Sequence, residues 1–255
     1  MFRLNTVVGA ALGAAISVTL ATGAHATILT IYDGVAAGAS DFDSTVTGAG
    51  GTVSTDVWTG LSSSASIDRG DYVITQNDGG VGGVANYGSL SGQVIGINPA
   101  GGGSSPRTDP LDYFGSGITF TFDNPVNAIG FEVGDWATCC HAPVTELFIS
   151  FDGGAPILVG SATSTADGLF PSQDTGASVF EIFVAAFDNS DDFTTVSFWG
   201  NGIGEVLYAG GQVKYSLLSR GSLPPATPEI PLPAGGLLLL TAFGAIGAAA
   251  RRRKA

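Results

Sequence analysis

The chain has 255 residues, with 22 Asp and Glu against nine Lys and Arg, a formal charge of −13. Five of the nine cations (Arg3, Arg251, Arg252, Arg253 and Lys254) lie near the two ends, so residues 27–229 hold four cations against 22 acids, a net charge of −18. That field repels phosphate backbones and excludes nucleic acid as a partner. Short alternating runs of Phe, Val, Ile and Thr, with few Lys and one Met, exclude a helical bundle and favour β structure.

Met1 to Ala26 carries one cation, Arg3, then an apolar run from Val7 to Thr22 and small residues at Ala24 and Ala26. This is the pattern of a signal peptide cut after Ala26 by signal peptidase, and it predicts export across the inner membrane. The alternative is a retained N-terminal helix, against which the small residues at 24 and 26 argue. About 190 residues then remain before the C-terminal segment, enough for one sizeable core.

Ile28 to Tyr32 reads as a first strand, closed by the turn pair Asp33-Gly34. Ala36 to Ser66 is rich in Gly, Ser, Thr and Ala, with one strand at Thr52 to Trp58, and no helix longer than a turn or two is expected. Asp71 to Gln76 gives a strand. Gly79 to Pro106 reads mostly as surface loop with a strand at Gln93 to Ile97, and loops of that length tend to be functional or mobile. From Gly117 the alternation sharpens: Ile118, Phe120 and Phe122 share one face. Asp123-Asn124-Pro125 then leads into Ile129, Phe131 and Val133, which predicts a hairpin. Glu146 to Phe151 and Pro156 to Ser161, joined through Asp152-Gly153-Gly154, predict a second hairpin. Strands at Ser178 to Phe187, Phe193 to Trp199 and Gly211 to Leu218 complete nine to eleven. The fold expected for residues 27–219 is an all-β, two-sheet sandwich of jelly-roll type, loop-rich over 27–110 and better defined over 111–219. A linker follows at 220–229.

Catalytic signatures are absent. His141 is the only histidine left after Ala26, and no Gly-x-Ser-x-Gly elbow supplies a serine for it. Glycoside hydrolysis needs two carboxylates, but Glu132, Glu146 and Glu181 sit in expected strands as outward, solvated acids by default, and Glu205 adds no pattern; the protein is not expected to be an enzyme. Cys139-Cys140 admits three readings: a vicinal disulfide formed in an oxidising compartment, reduced or intermolecularly paired thiols, or a metal site with His141. Adjacent side chains of an extended segment point apart, which disfavours the metal. Trp136 is either a glycan-stacking aromatic or a lid over the core. Asp41-Phe42-Asp43 and Asp188-Asn189-Ser190-Asp191-Asp192 are weak candidates for structural calcium, with Asp188, Asp191 and Asp192 as ligands, against a simple Asx-rich turn.

The last 26 residues form three devices in series: Ile230-Pro231-Leu232-Pro233-Ala234, the uncharged run Gly235 to Ala250, and Arg251-Arg252-Arg253-Lys254. As a helix the 16-residue run spans about 24 Å, near the roughly 30 Å of a bilayer core. The basic cluster is expected to stay cytoplasmic, which puts the preceding domain on the far side. This order resembles the PEP-CTERM class of sorting signals, in the variant whose motif is Val-Pro-Leu-Pro-Ala, with Ile230 in place of Val. The resemblance implies recognition and cleavage by an exosortase of a Gram-negative bacterium, and transfer of the protein to the cell envelope or exopolysaccharide matrix. Two alternatives are a sortase signal, for which Gly235 stands where Thr is required, and a tail anchor that is never cut.

Residues 111–219 also resemble the bodies of proteins that carry such tails, through Gly117 to Phe131 and through Gly210-Gly211-Gln212-Val213-Lys214-Tyr215. The resemblance implies a sandwich of the shape used by carbohydrate-binding modules. The expected function is structural or adhesive, in the envelope or matrix; the alternative is a carbohydrate-binding module with a specific glycan ligand, and a secreted hydrolase stands behind both.

Overall fold

A computed structural model describes residues 28–97, 109–138, 144–200 and 206–223. The segments expected to hold the signal peptide and the sorting tail, the Cys139-Cys140-His141 segment and Glu205 lie outside the described residues. In chain order the elements are β1 (Ile28–Gly34), α1 (Val35–Gly48), β2 (Ser54–Val57), β3 (Ser66–Asp68), β4 (Tyr72–Gln76), β5 (Val84–Asn86), β6 (Gln93–Ile97), β7 (Ile118–Val126) and β8 (Ala128–Gly134). They continue with β9 (Thr145–Phe151), β10 (Ile157–Ala162), β11 (Phe170–Pro171), β12 (Ser178–Val179), β13 (Glu181–Asp188), β14 (Phe193–Gly200) and β15 (Leu207–Ser216).

Two antiparallel sheets carry the fold. One has seven strands in the order β1-β13-β8-β15-β6-β5, with β2 also on β15; the other has six, in the order β10-β9-β14-β7-β4-β3. The alternation seen in the sequence supplies the core between them. Phe120 of β7 meets Phe131 of β8 at a ring distance of 5.4 Å, and Phe131 meets Phe198 of β14 edge-on at 4.9 Å. All three rings are fully buried.

That contact corrects the hairpin expected at Asp123-Asn124-Pro125. β7 and β8 belong to different sheets, and their apolar faces look at each other across the core. Asn127 directs the crossing. It is buried, its amide nitrogen donates to the Leu218 carbonyl at 2.9 Å, and its Oδ1 accepts from the Leu218 N–H at 2.6 Å. Its own N–H and C=O bond Ser216 and Asp188. The β9–β10 hairpin forms as expected, with a register shift between Leu158 and Gly160.

The second correction is α1, fourteen residues where no helix beyond a turn or two was expected. Its residues are weak helix formers, but Val35, Gly38, Phe42 and Val46 fall on one face and are buried. Phe42 lies against Phe183 and Phe187 of β13, and Gly38 comes so near Phe183 that an added Cβ would sit 2.7 Å from that side chain. Lys214 of β15 clamps the helix through Asp43 at 2.9 Å. Tertiary contact rather than propensity makes this helix.

Replacing Asn127 with Ala strands a buried N–H and a buried C=O of Leu218, a loss of about 3 kcal/mol. In a domain of this size that lowers the melting temperature by about 6–10 °C. Leu217→Ala, at a position 56% exposed, serves as the control and should leave it within a degree or two. Calorimetry of the two variants checks this, and equal small shifts would contradict the role given to Asn127.

Candidate functional site

The outer face of the seven-stranded sheet is covered by two different pieces of chain. At one end α1 lies over Ala128, Phe183, Ala185 and Phe187. At the other, β8 and β13 present Glu132 and Glu181, which are 0% and 2% exposed. The strand register sets them diagonally, Glu132 opposite Phe183 and Glu181 opposite Gly134. Both were expected to be solvated, so their burial is a correction. The cover is the segment 87–92, read from sequence as surface loop.

This segment grips the two carboxylates through alternate serines. Ser91 donates its N–H to Glu132 at 2.7 Å and its hydroxyl at 2.5 Å. Ser89 donates its N–H to Glu181 at 2.8 Å and its hydroxyl to the other oxygen of the same carboxylate. The chain turns at Gly88 and Ser89, where the Leu90 N–H donates to the Tyr87 carbonyl at 3.2 Å, and this turn brings both serines over the acids. Gln173 braces the pair from behind, donating to the Ser89 carbonyl, while the Ser172 hydroxyl bonds that of Ser89 at 3.2 Å.

Glycines make the close approach fit. Gly88, at φ +49°, lies over Glu181 so tightly that an added Cβ would fall 1.7 Å from its Oε1. On β15 the ladder breaks between Gly210 and Val213, and there the strand changes partner from β6 to β2. Gly211, at φ +62°, opens room for the Glu132 carboxylate, and Gly210 for the Trp58 ring. The Gly210-Gly211 pair noted in the sequence is therefore a β-bulge that seats one buried acid and one buried indole.

Burial pushes the Glu132 carboxyl up to about 7; the Ser91 donors and the Gln212 N–H pull against this rise, and Glu181 adds to it. Burial also raises the Tyr87 phenol, helped by Asp135, which accepts its hydroxyl at 3.2 Å. The Tyr87 ring packs on Gly134, where an added Cβ would be 2.3 Å away. It stacks on Tyr208 of β15 at 5.0 Å and 27°. Both tyrosines are partly exposed. Beside them runs an open groove of about 390 Å³, whose side chains include Thr59, Asn86, Tyr87, Ser91 and Gln93.

Other candidates resolve differently. Trp136 is fully buried within the core and donates its indole N–H to the Tyr32 hydroxyl at 2.9 Å, so it is no glycan contact but the lid alternative. Asp188 accepts from the Ser190 N–H and hydroxyl and from the Asp191 N–H, as an Asx turn does. Asp191 and Asp192 both pair with Arg220, at 2.9 and 3.1 Å. Among the described residues no three acids, histidines or cysteines converge as metal ligands. The loop's visible role is to hold the outgoing chain, since Asn189 bonds both the N–H and the C=O of Leu223. Of the Asp41-Phe42-Asp43 cluster, Asp43 is the partner of Lys214 and Phe42 is core. Among the described residues no helix is long and apolar enough to cross a membrane.

No protein-family model and no curated protein matches the chain. Solved structures similar to it include a mutant of the family 29 carbohydrate-binding module CBM29-2 and another family 29 carbohydrate-binding module. Each is 11% identical; the first covers 69% of this chain and 99% of its own at a TM-score of 0.32, the second 70% and 99% at 0.31. Values this low assign neither a ligand nor a residue role to this chain.

The titration of Glu132 has a definite sign. Its carboxyl lies above its ordinary 4.5 in the folded protein, so the stability it contributes is fully present below about pH 4.5 and is lost as pH rises through about 7. Melting curves of wild type and Glu132→Gln between pH 4 and 8 should therefore diverge across that window. The wild type should lose several degrees relative to the variant as pH rises, the equivalent of about 3 kcal/mol at most. Parallel curves would mean that the acid is not buried as described.

Proposed function

We propose that this protein is an exported, non-catalytic β-sandwich of the bacterial envelope or matrix whose seven-stranded sheet binds glycan on its outer face. The observation that carries this reading is the partly exposed Tyr87–Tyr208 stack at the edge of a groove lined by amides and hydroxyls. Aromatic rings present the apolar, C–H-rich face that a pyranose stacks against, and amides and hydroxyls pair with its hydroxyl groups. The non-catalytic part rests on Glu132 and Glu181: each carboxylate is closed over by a serine of the covering segment, which leaves neither oxygen free to reach a substrate. The jelly-roll topology expected from the strand pattern belongs to the same reading and is supported by the crossing from one sheet to the other after β7.

Delivery is the other half. The terminal segments carry the signal peptide and the sorting tail, with exosortase and signal peptidase as processing partners, and the acidic domain between them suits an exported, soluble body. The structural or adhesive role in the matrix follows if the sandwich holds polysaccharide once it arrives.

On affinity electrophoresis through gels containing soluble polysaccharide, the wild type should be retarded, and Tyr208→Ala should cut the retardation at least tenfold. Tyr208 is partly exposed, so the variant keeps its fold, which an unchanged melting temperature verifies. Retardation unaffected by Tyr208→Ala would move the site elsewhere. Intact-mass measurement on envelope material should find a chain that begins near Thr27 and lacks Gly235 to Ala255; recovery of Arg251 to Ala255 would contradict processing.

A further inference from the structure

The groove is marked by its charge as much as by its shape. Among the described residues none of its lining side chains is charged. One hydrogen bond behind that lining stand Glu132, reached through Ser91, and Asp135, reached through the Tyr87 hydroxyl; Glu181 lies directly beneath Gly88. Asp174 joins them through Ser172 and Ser89. Among the described residues no unpaired cation offsets them. The three Lys and Arg among the described residues are each paired with another acid: Arg69, which also donates to the Thr59 carbonyl at 3.5 Å, with Asp56 at 2.6 Å, Lys214 with Asp43 at 2.9 Å, and Arg220 with Asp191 at 2.9 Å.

From this juxtaposition we infer that the groove takes uncharged glycan, built of neutral hexoses, and rejects polysaccharides of uronic acids or sulfated sugars. The inference rests on the glycan-binding reading above and names the substrate class of the same site. Two physical effects drive the rejection. A carboxylate on the sugar would approach Glu181, Asp135, Asp174 and the partly ionised Glu132 with no unpaired guanidinium or ammonium among the described residues to meet it, and the repulsion grows as water is displaced from the groove. It would also lose its hydration without gaining a charge-assisted hydrogen bond. A neutral hexose pays neither cost, since Asn86, Gln93 and Thr59 supply the neutral donors and acceptors that its hydroxyls need.

The test compares a neutral β-glucan oligosaccharide with a polyuronate oligosaccharide of equal length, by calorimetry on the purified protein at 20 and 500 mM sodium chloride. The neutral sugar should bind with an affinity that salt leaves unchanged. The polyuronate should bind at least tenfold more weakly at low salt, with the gap narrowing at high salt as screening sets in. Asn86→Lys, which puts one cation on an exposed position of the groove, should raise polyuronate affinity at low salt several-fold. Polyuronate binding as tight as the neutral sugar, or no gain from Asn86→Lys, would overturn the charge rule while leaving a glycan site in place. Absence of binding to either sugar would overturn the glycan-binding reading itself.

Discussion

Two buried carboxylates under one short segment are the constraint on which this end of the molecule depends. An acid taken out of water without a cation is costly, and Glu132 and Glu181 are removed together, with no Lys or Arg paired to either among the described residues. The cost is offset by the serine forks and by the bulge that admits the Glu132 head group, so three elements distant in sequence are tied to one another: β8, β15 and the segment after β5. Break that tie and segment 87–92 loses its fixed position, and with it the Tyr87 ring and one wall of the groove. A raised Glu132 carboxyl is the thermodynamic trace of the same arrangement.

The two ends of the seven-stranded sheet solve one problem in opposite ways. α1 covers Phe183 and Phe187 with an apolar face, which anchors it by burial alone apart from the Lys214–Asp43 clamp. Segment 87–92 covers acids with polar contacts, which fix position more narrowly than burial does but leave the outer side of the segment wet. A stable apolar lid on one end and a solvent-lined groove on the other fit a protein whose core is devoted to rigidity and whose covering segment borders an outward-facing recess.

Much of the sandwich was legible in the sequence because period-2 alternation is a local signal. Ile118, Phe120 and Phe122, and Ile129, Phe131 and Val133, declared their faces correctly. Which sheet each strand joins is not local: the hairpin expected between them gave way to a crossing directed by Asn127, whose partner Leu218 lies 91 residues on. α1 was hidden because its apolar face is spaced by Gly, Ser and Thr, residues that read as loop until Phe183 and Phe187 supply a surface for them. The candidate site was the least legible part. Alternation placed Glu132 and Glu181 outward, and they do point outward from the sheet; their burial comes from Ser91, 41 residues away, and Ser89, 92 residues away. Trp136, the aromatic beside the cysteines, is core, while Tyr87 and Tyr208 lie in a glycine-rich stretch and at the start of the last strand, where no local pattern marks them. The single hint was the Ser89-Leu90-Ser91 spacing within that stretch.

Hydrogen exchange read residue by residue, with and without a neutral glucan oligosaccharide, tests the central claim most directly. In the free protein the Ser89 and Ser91 amides should exchange as slowly as strand amides, because each is held by a buried carboxylate. On adding sugar, protection should rise at residues 58–60 and 86–93 and nowhere on the six-stranded sheet. Fast exchange of those two serines in the free protein, or protection by sugar confined to another face, would contradict the account.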